Sequence, residues 1–176
     1  MNDQVTEQER VMPDTSSSTG KAALKPPILV QVVATRDWDE GVGFQLRWEY
    51  PKGIWNSGAM VFANGDLDRE ISYDLVDETD LDLVFDTQAD DCIWVTTGPC
   101  PKSAKPPHGS DKGQIKNKVR AGNKKLTLEN ANNTTYKLHY ALRFTGETYT
   151  NPDGAKFGPN YSYDPEYRNN GGGGNV

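Results

Sequence analysis

Histidine and cysteine are scarce in this chain: two of each in 176 residues. That leaves little for catalysis, because a Ser or Cys nucleophile needs a base held by an orienting acid. His108 falls in a proline-rich stretch and His139 on the polar side of an alternating run, which reads as a solvated strand residue. Cys92 and Cys100 flank Thr97-Gly98-Pro99 and lack the close spacing that presents two sulfurs to one zinc ion. The spacing leaves open a bridge across a short hairpin, although a cytosolic chain normally keeps its thiols reduced. Long apolar runs are also missing, so no segment reaches the ~18 residues of a membrane-crossing helix. Met1 to Gly20 has no apolar centre and does not read as a secretory signal, so the expected location is cytoplasmic. No Gly-x-Gly-x-x-Gly motif is present. Gly98-Pro99-Cys100-Pro101-Lys102-Ser103 puts prolines where a phosphate loop needs amide donors. The sequence predicts a non-enzyme with no cofactor and no metal.

What is there is charge, sharply segregated within a net of −6. Residues 64–91 carry eleven acids against the single base Arg69, and residues 102–125 carry eight bases against Asp111. Two solvated faces within one fold are the plain reading. The sharper one is that complementary faces of neighbouring copies, or of a protein partner, meet and steer association. The residues singled out for it are Asp74, Asp80 and Asp82 on the acidic side, and Lys112, Lys116, Lys118 and Arg120 on the basic side. Nucleic acid is not an expected partner, because the acidic segment repels phosphate wherever the two segments lie close. Nor is a membrane.

Residues 1–27 read as a tail, with Ser16 to Gly20, scattered charge and Pro26-Pro27 offering too little apolar surface to offset ordering. From Ile28 the dominant period is two. Phe44, Leu46, Trp48 and Tyr50 alternate with polar residues, as do Ile71, Tyr73 and Leu75, and Leu81, Leu83 and Phe85 flank Asp82. The clearest run is Tyr136, Leu138, Tyr140, Leu142 and Phe144, which a pleated strand places on one face and a helix would scatter. Ile28 to Val33, apolar except for Gln31, predicts a strand covered on both sides. Further strands are expected at 59–63, 93–96, 115–120 and 125–129, with Ala121-Gly122-Asn123 turning a hairpin. Pro99 to Gly113 holds four prolines and predicts a long surface loop. The expected architecture is all-β: a two-layer antiparallel β-sandwich over residues 28–170, followed by a Gly-rich tail at 171–176.

Two further chemistries have partial support. Asn64, Asp66, Asp68 and Glu70 alternate, and hard cations take such oxygen ligands, but the wet side of a strand gives the same pattern. Trp38 and Trp55 sit near turns beside Asp and Asn, and with Tyr149, Tyr161 and Tyr163 they would suit stacking on sugar rings. The competing reading has these aromatics capping the core. The sequons at Asn132 and Asn133 mean nothing without secretion.

The most distinctive stretch joins Lys125-Leu126-Thr127-Leu128-Glu129-Asn130, the run from Tyr136 to Gly146, and Asp164-Pro165-Glu166-Tyr167-Arg168-Asn169-Asn170-Gly171-Gly172. Over residues 115–172 this resembles the DP-EP family of small bacterial proteins, and it is also similar to the AidA/PixA inclusion-body proteins. The resemblance implies an immunoglobulin-like sandwich in a bacterial cytosolic protein without an established activity, and it carries over no catalytic residue. The chain departs from the compact pattern in its polar start and its proline-rich loop. Taken alone, Asp164-Pro165 initiates a turn and predicts an ordered strap across the sandwich end, with Arg168 available to the acidic face. The expected function is non-catalytic: self-association or macromolecular binding. A carbohydrate-binding module is the alternative.

Overall fold

The computed structural model describes residues 25–37, 43–56, 59–63, 65–98, 111–163 and 166–170, with 55–56 and 166–170 described by backbone alone. Residues 1–24 of the expected 1–27 tail, the expected tail at 171–176 and most of the proline-rich loop lie outside the described residues. In chain order the strands are β1 (Ile28–Arg36), β2 (Phe44–Glu49), β3 (Trp55–Asn56), β4 (Ala59–Phe62), β5 (Arg69–Glu78), β6 (Val84–Phe85), β7 (Ile93–Thr96), β8 (Ile115–Ala121), β9 (Lys125–Asn130), β10 (Thr135–Thr145), β11 (Tyr149–Thr150), β12 (Lys156–Phe157), β13 (Asn160–Tyr163) and β14 (Glu166–Asn170). The chain is all-β and mostly antiparallel, with no helix among the described residues.

Five strands form one sheet in the order β2-β1-β5-β9-β8. The second sheet is built on β10, which pairs with β13 and β14 and also with β6 and β7, and continues through β14 to β4 and β3. Two pairs depart from the antiparallel expectation: β1 runs parallel to β5, and β14 parallel to β4. Parallel neighbours need a crossover between them, which residue alternation does not report.

Period-two patterning does set the core. Leu138, Tyr140, Leu142 and Phe144 of β10 are fully buried, and Tyr136 packs at the margin. They share one cluster with Ile28, Val30 and Val32 of β1, Ile71, Tyr73 and Leu75 of β5, and Leu126 and Leu128 of β9. The sheets meet where the Tyr73 ring lies 6.4 Å from Tyr140 and its hydroxyl donates to the Tyr140 hydroxyl at 3.4 Å. Phe44 meets Tyr161 edge-on, with ring centroids 5.3 Å apart.

Three local expectations are corrected. The β1 run is not covered on both sides: Leu29 is 54% exposed and Gln31 exposed, while Val33 is buried. Leu81 and Leu83 are buried but lie outside any strand, because Asp80 and Asp82 adopt positive φ. The Asp77 carboxylate holds that turn, accepting from the amides of Thr79 (3.0 Å) and Leu83 (2.7 Å). Finally, the C-terminal phrase is not a strap over the end of the layers. It is woven into the sheet: Tyr161 pairs with Phe144, and Arg168 is registered between Lys137 and Val61.

Candidate functional site

The two charged segments are brought together by the strand order. Acidic β5 lies beside β9, and β9 beside basic β8, so opposite charges become near neighbours within one chain. Lys125 Nζ stands 3.8 Å from the Asp74 carboxylate directly across the β5–β9 pair. Lys116 reaches Asp68 at 3.6 Å and Glu129 at 4.0 Å. Lys118 reaches Asp90 at 3.3 Å, in the loop before β7, and so links the first sheet to the second. Lys124 reaches Asp77 at 3.5 Å and donates to the Leu83 carbonyl.

The residues expected to form two opposed faces are therefore spread over several surfaces. Asp74 and Lys116 lie on the outer face of the five-stranded sheet, with register partners Lys125 and Glu129. Asp80 and Asp82 are exposed in the left-handed turn after β5. Lys112 occupies the turn before β8, also at positive φ. Lys118 and Arg120 face the loop at 86–91; Arg120 is registered with core residue Leu126, and its guanidinium donates to Asn123 at 2.8 Å. Among the described residues, Lys116, Lys118, Lys124 and Lys125 of the basic segment thus pair with acids of the acidic segment within the chain.

The alternating acidic run from Asp66, a candidate for calcium in sequence, is likewise structural. Asp66 is almost buried and is held by Lys25 (2.5 Å) and Arg69 (3.0 Å). Burial alone raises its carboxyl pKa, but hydrogen bonds from Lys25 and Arg69 and their charges outweigh that and hold it below the usual carboxylate value. Asp68, at positive φ, is turned toward Lys116.

The aromatic residues divide differently from the sequence expectation. Trp38 and Asp164 lie outside the described residues, and Trp55 and Arg168 are described by backbone alone. Tyr161 is buried, its hydroxyl donating to the Glu147 carbonyl at 2.6 Å, so it offers no stacking surface. Burial pushes its pKa up, against the opposing effects of a backbone hydrogen bond and the Arg36 charge. Tyr149 is also buried, its ring stacked on Phe157 with the Arg36 guanidinium 5.5 Å above it. Tyr163, in contrast, is half-buried against Trp48 at 6.2 Å. Trp48 also stacks on Tyr50 at 6.3 Å and meets Tyr73 edge-on. Alternation alone places Trp48 in the core and misses its half-exposed edge.

A second unforeseen feature is the other side of β10. Ala141 and Arg143 are buried there, and the Arg143 guanidinium lies 3.5 Å from the centre of the Trp94 ring. Burial lowers the Arg143 pKa, while Asp86, 3.9 Å from its Nε, acts the other way. Nearby Cys92 is a buried free thiol donating to the carbonyls of Asp86 and Gln88, each at 3.2 Å. Cys100 lies outside the described residues.

The outer face of the five-stranded sheet carries two large exposed aliphatic side chains, Leu29 and Val119. Cross-strand register sets Leu29, Ser72, Thr127 and Val119 in one uncharged row across β1, β5, β9 and β8. Its two ends, Leu29 and Val119, are 54% and 55% exposed. In the centre Ser72 is buried and Thr127 half-buried, their hydroxyls 3.4 Å apart. Gln31, Asp74 and Lys125 form the next row on one side, and Glu70, Glu129 and Lys116 the row on the other.

Compared with known proteins, the chain matches no family model and no curated protein. No helix among the described residues is long and apolar enough to cross a membrane.

Proposed function

We propose that this chain is a non-catalytic β-sandwich module, immunoglobulin-like in its layering, that works by associating with copies of itself or with another macromolecule. The carrying observation is the outer face of the five-stranded sheet, where two large aliphatic side chains stand more than half exposed on a surface of paired charge. The two stand at opposite ends of a four-strand row, about 14 Å apart at ~4.8 Å per strand, so each offers a separate apolar contact for a partner surface. The titratable groups support the same reading. Asp66, Asp74, Asp77 and Asp90 each have a cationic partner that ties one segment of the fold to another, and Cys92 is a buried structural thiol. The layering supports the sandwich reading, since β5 and β10 face each other across a shared core. Kinship with the DP-EP proteins, and a bacterial cytoplasmic setting, belong to the proposal on the strength of the motifs alone.

The test is size-exclusion chromatography with light scattering at low and high salt over a range of concentrations. The expected result is a mass that rises with concentration toward twice that of the monomer. A strict monomer in both salts, together with no macromolecule retained, refutes the reading.

The half-exposed edge of Trp48, flanked by Tyr50 and Tyr163, favours one alternative: a carbohydrate-binding module. A glycan array followed by tryptophan fluorescence titration tests it, with Trp48→Ala as the control. No response to any glycan removes it.

A further inference from the structure

The register of the five-stranded sheet makes its outer face complementary to itself. Consider a two-fold axis parallel to the strands, lying above the face midway between β5 and β9. Rotation about it sets β5 of one copy over β9 of the other, and β1 over β8, while rows across the sheet stay aligned. In the uncharged row Leu29 then covers Val119 of the other copy, at each end of a centre formed by buried Ser72 and half-buried Thr127. In the adjoining row Asp74 faces Lys125 twice over. The third row opposes Glu70 to Glu129, a repulsion offset by Lys116, which already lies 4.0 Å from Glu129. We infer that a second copy of this chain docks on this face, with Leu29 of each copy on Val119 of the other and Asp74 opposite Lys125.

The inference rests on the self-association reading above and specifies its interface. Face-to-face sheets pack ~10 Å apart, a distance that aliphatic and paired-charge side chains fill from both sides. An isologous contact of this kind closes as a dimer and does not propagate. The four strands that overlap, spaced ~4.8 Å apart and about seven residues long, present roughly 440 Å² per copy, short of the ~800 Å² of a standard interface. The dimer is therefore weak, and its population follows concentration.

The experiment uses sedimentation equilibrium on the full chain and on three variants of exposed or half-exposed residues: Leu29→Glu, Asp74→Lys and Lys125→Asp. Circular dichroism and the melting temperature confirm that each variant is folded. Each variant alone is expected to weaken dimerisation at least about tenfold, roughly 1.4 kcal/mol. An equimolar mixture of D74K and K125D is expected to recover it, because opposite signs again face each other across the axis. A wild-type chain that associates while all three variants match it overturns this interface and leaves self-association standing. Weakened single variants whose mixture stays monomeric overturn the two-fold arrangement. A wild type monomeric throughout overturns both the interface and the self-association on which it rests, leaving binding of another macromolecule to its own test.

Discussion

Replacing Gly43 with alanine brings two separable penalties onto one methyl group. Gly43 enters β2 at φ +81°, and a Cβ built there would lie 2.4, 2.6 and 2.8 Å from three ring atoms of Tyr149. The left-handed backbone costs an L-residue ~1–2 kcal/mol. Ordinary carbon contacts are ~3.5–4.0 Å, so the ring must move by about 1 Å. It has little room to do so, stacked on Phe157 with its centroid 6.2 Å away and the Arg36 guanidinium on its face. Overpacking of this kind costs ~1–3 kcal/mol, giving a total of about 2–5 kcal/mol. For a domain of this size that lowers Tm by roughly 4–20 °C, read by circular dichroism. Gly53 is the internal control: it has φ +87° and nothing within 4 Å of where the methyl carbon would stand, so Gly53→Ala carries the backbone penalty only. Tyr149→Ala closes the cycle by removing the ring, and the coupling between G43A and Y149A should be about 1–3 kcal/mol. A G43A protein that melts with G53A, or a cycle with no coupling, refutes the packing described around Tyr149.

Three further outcomes follow from the core and its ion pairs. Leu142→Ala, which empties a fully buried site on β10, should cost about 2–5 kcal/mol in urea unfolding, against under ~0.5 for exposed Lys137→Ala. Burial, reinforced by Asp86, raises the Cys92 thiol pKa to about 12, so a Cys100→Ser variant should resist alkylation at pH 8 until unfolded; rapid native labelling contradicts this. The Asp66 carboxyl pKa is lowered on folding, so its stabilisation is present above the unfolded value near ~3.9 and lost as pH falls through the folded one. Asp66→Asn should therefore be less stable than wild type at neutral pH, with the gap closing in acid; a gap constant down to pH ~2 speaks against the pairing with Lys25 and Arg69.

Much of the strand content was legible because burial on one side writes itself into every second residue. The runs at 44–48, 71–75 and 136–144, and the hairpin at Ala121-Gly122-Asn123, all lie where alternation and turn chemistry put them. What alternation does not report is the second side of a strand. Arg143 looks like a wet residue in sequence, and its burial depends on Trp94, which reaches it only through the β7–β10 pairing. The apolar start of β1 misleads in the opposite sense: Leu29 is 54% exposed although Ile28 and Val30 on either side of it are buried. The candidate surface was half visible. Asp74 and Lys116 stand out in sequence for their charge, whereas the Leu29–Val119 row exists only once four distant segments are in register.

That register gives the segregation of charge along the chain a role within the fold, whatever it does in steering association. Each exposed ion pair is worth little, ~0–1 kcal/mol, so the pairs do not account for stability. Their placement does discriminate among alternative pairings. With acids concentrated in β5 and bases in β8 and the turn before β9, pairing β8 beside another basic segment sets like charges together, and the observed order does not. A one-residue slip of β9 on β5 also turns Leu126 and Leu128 to water while taking Lys125 out of line with Asp74. Hydrophobic and electrostatic penalties thus reject the same misalignment. Local charge of opposite sign, which in sequence reads as two faces looking for partners, is also placed in this fold so that it favours the observed strand neighbours. The modest, balanced charge left on the outer face is then suited to a weak contact between copies of the chain.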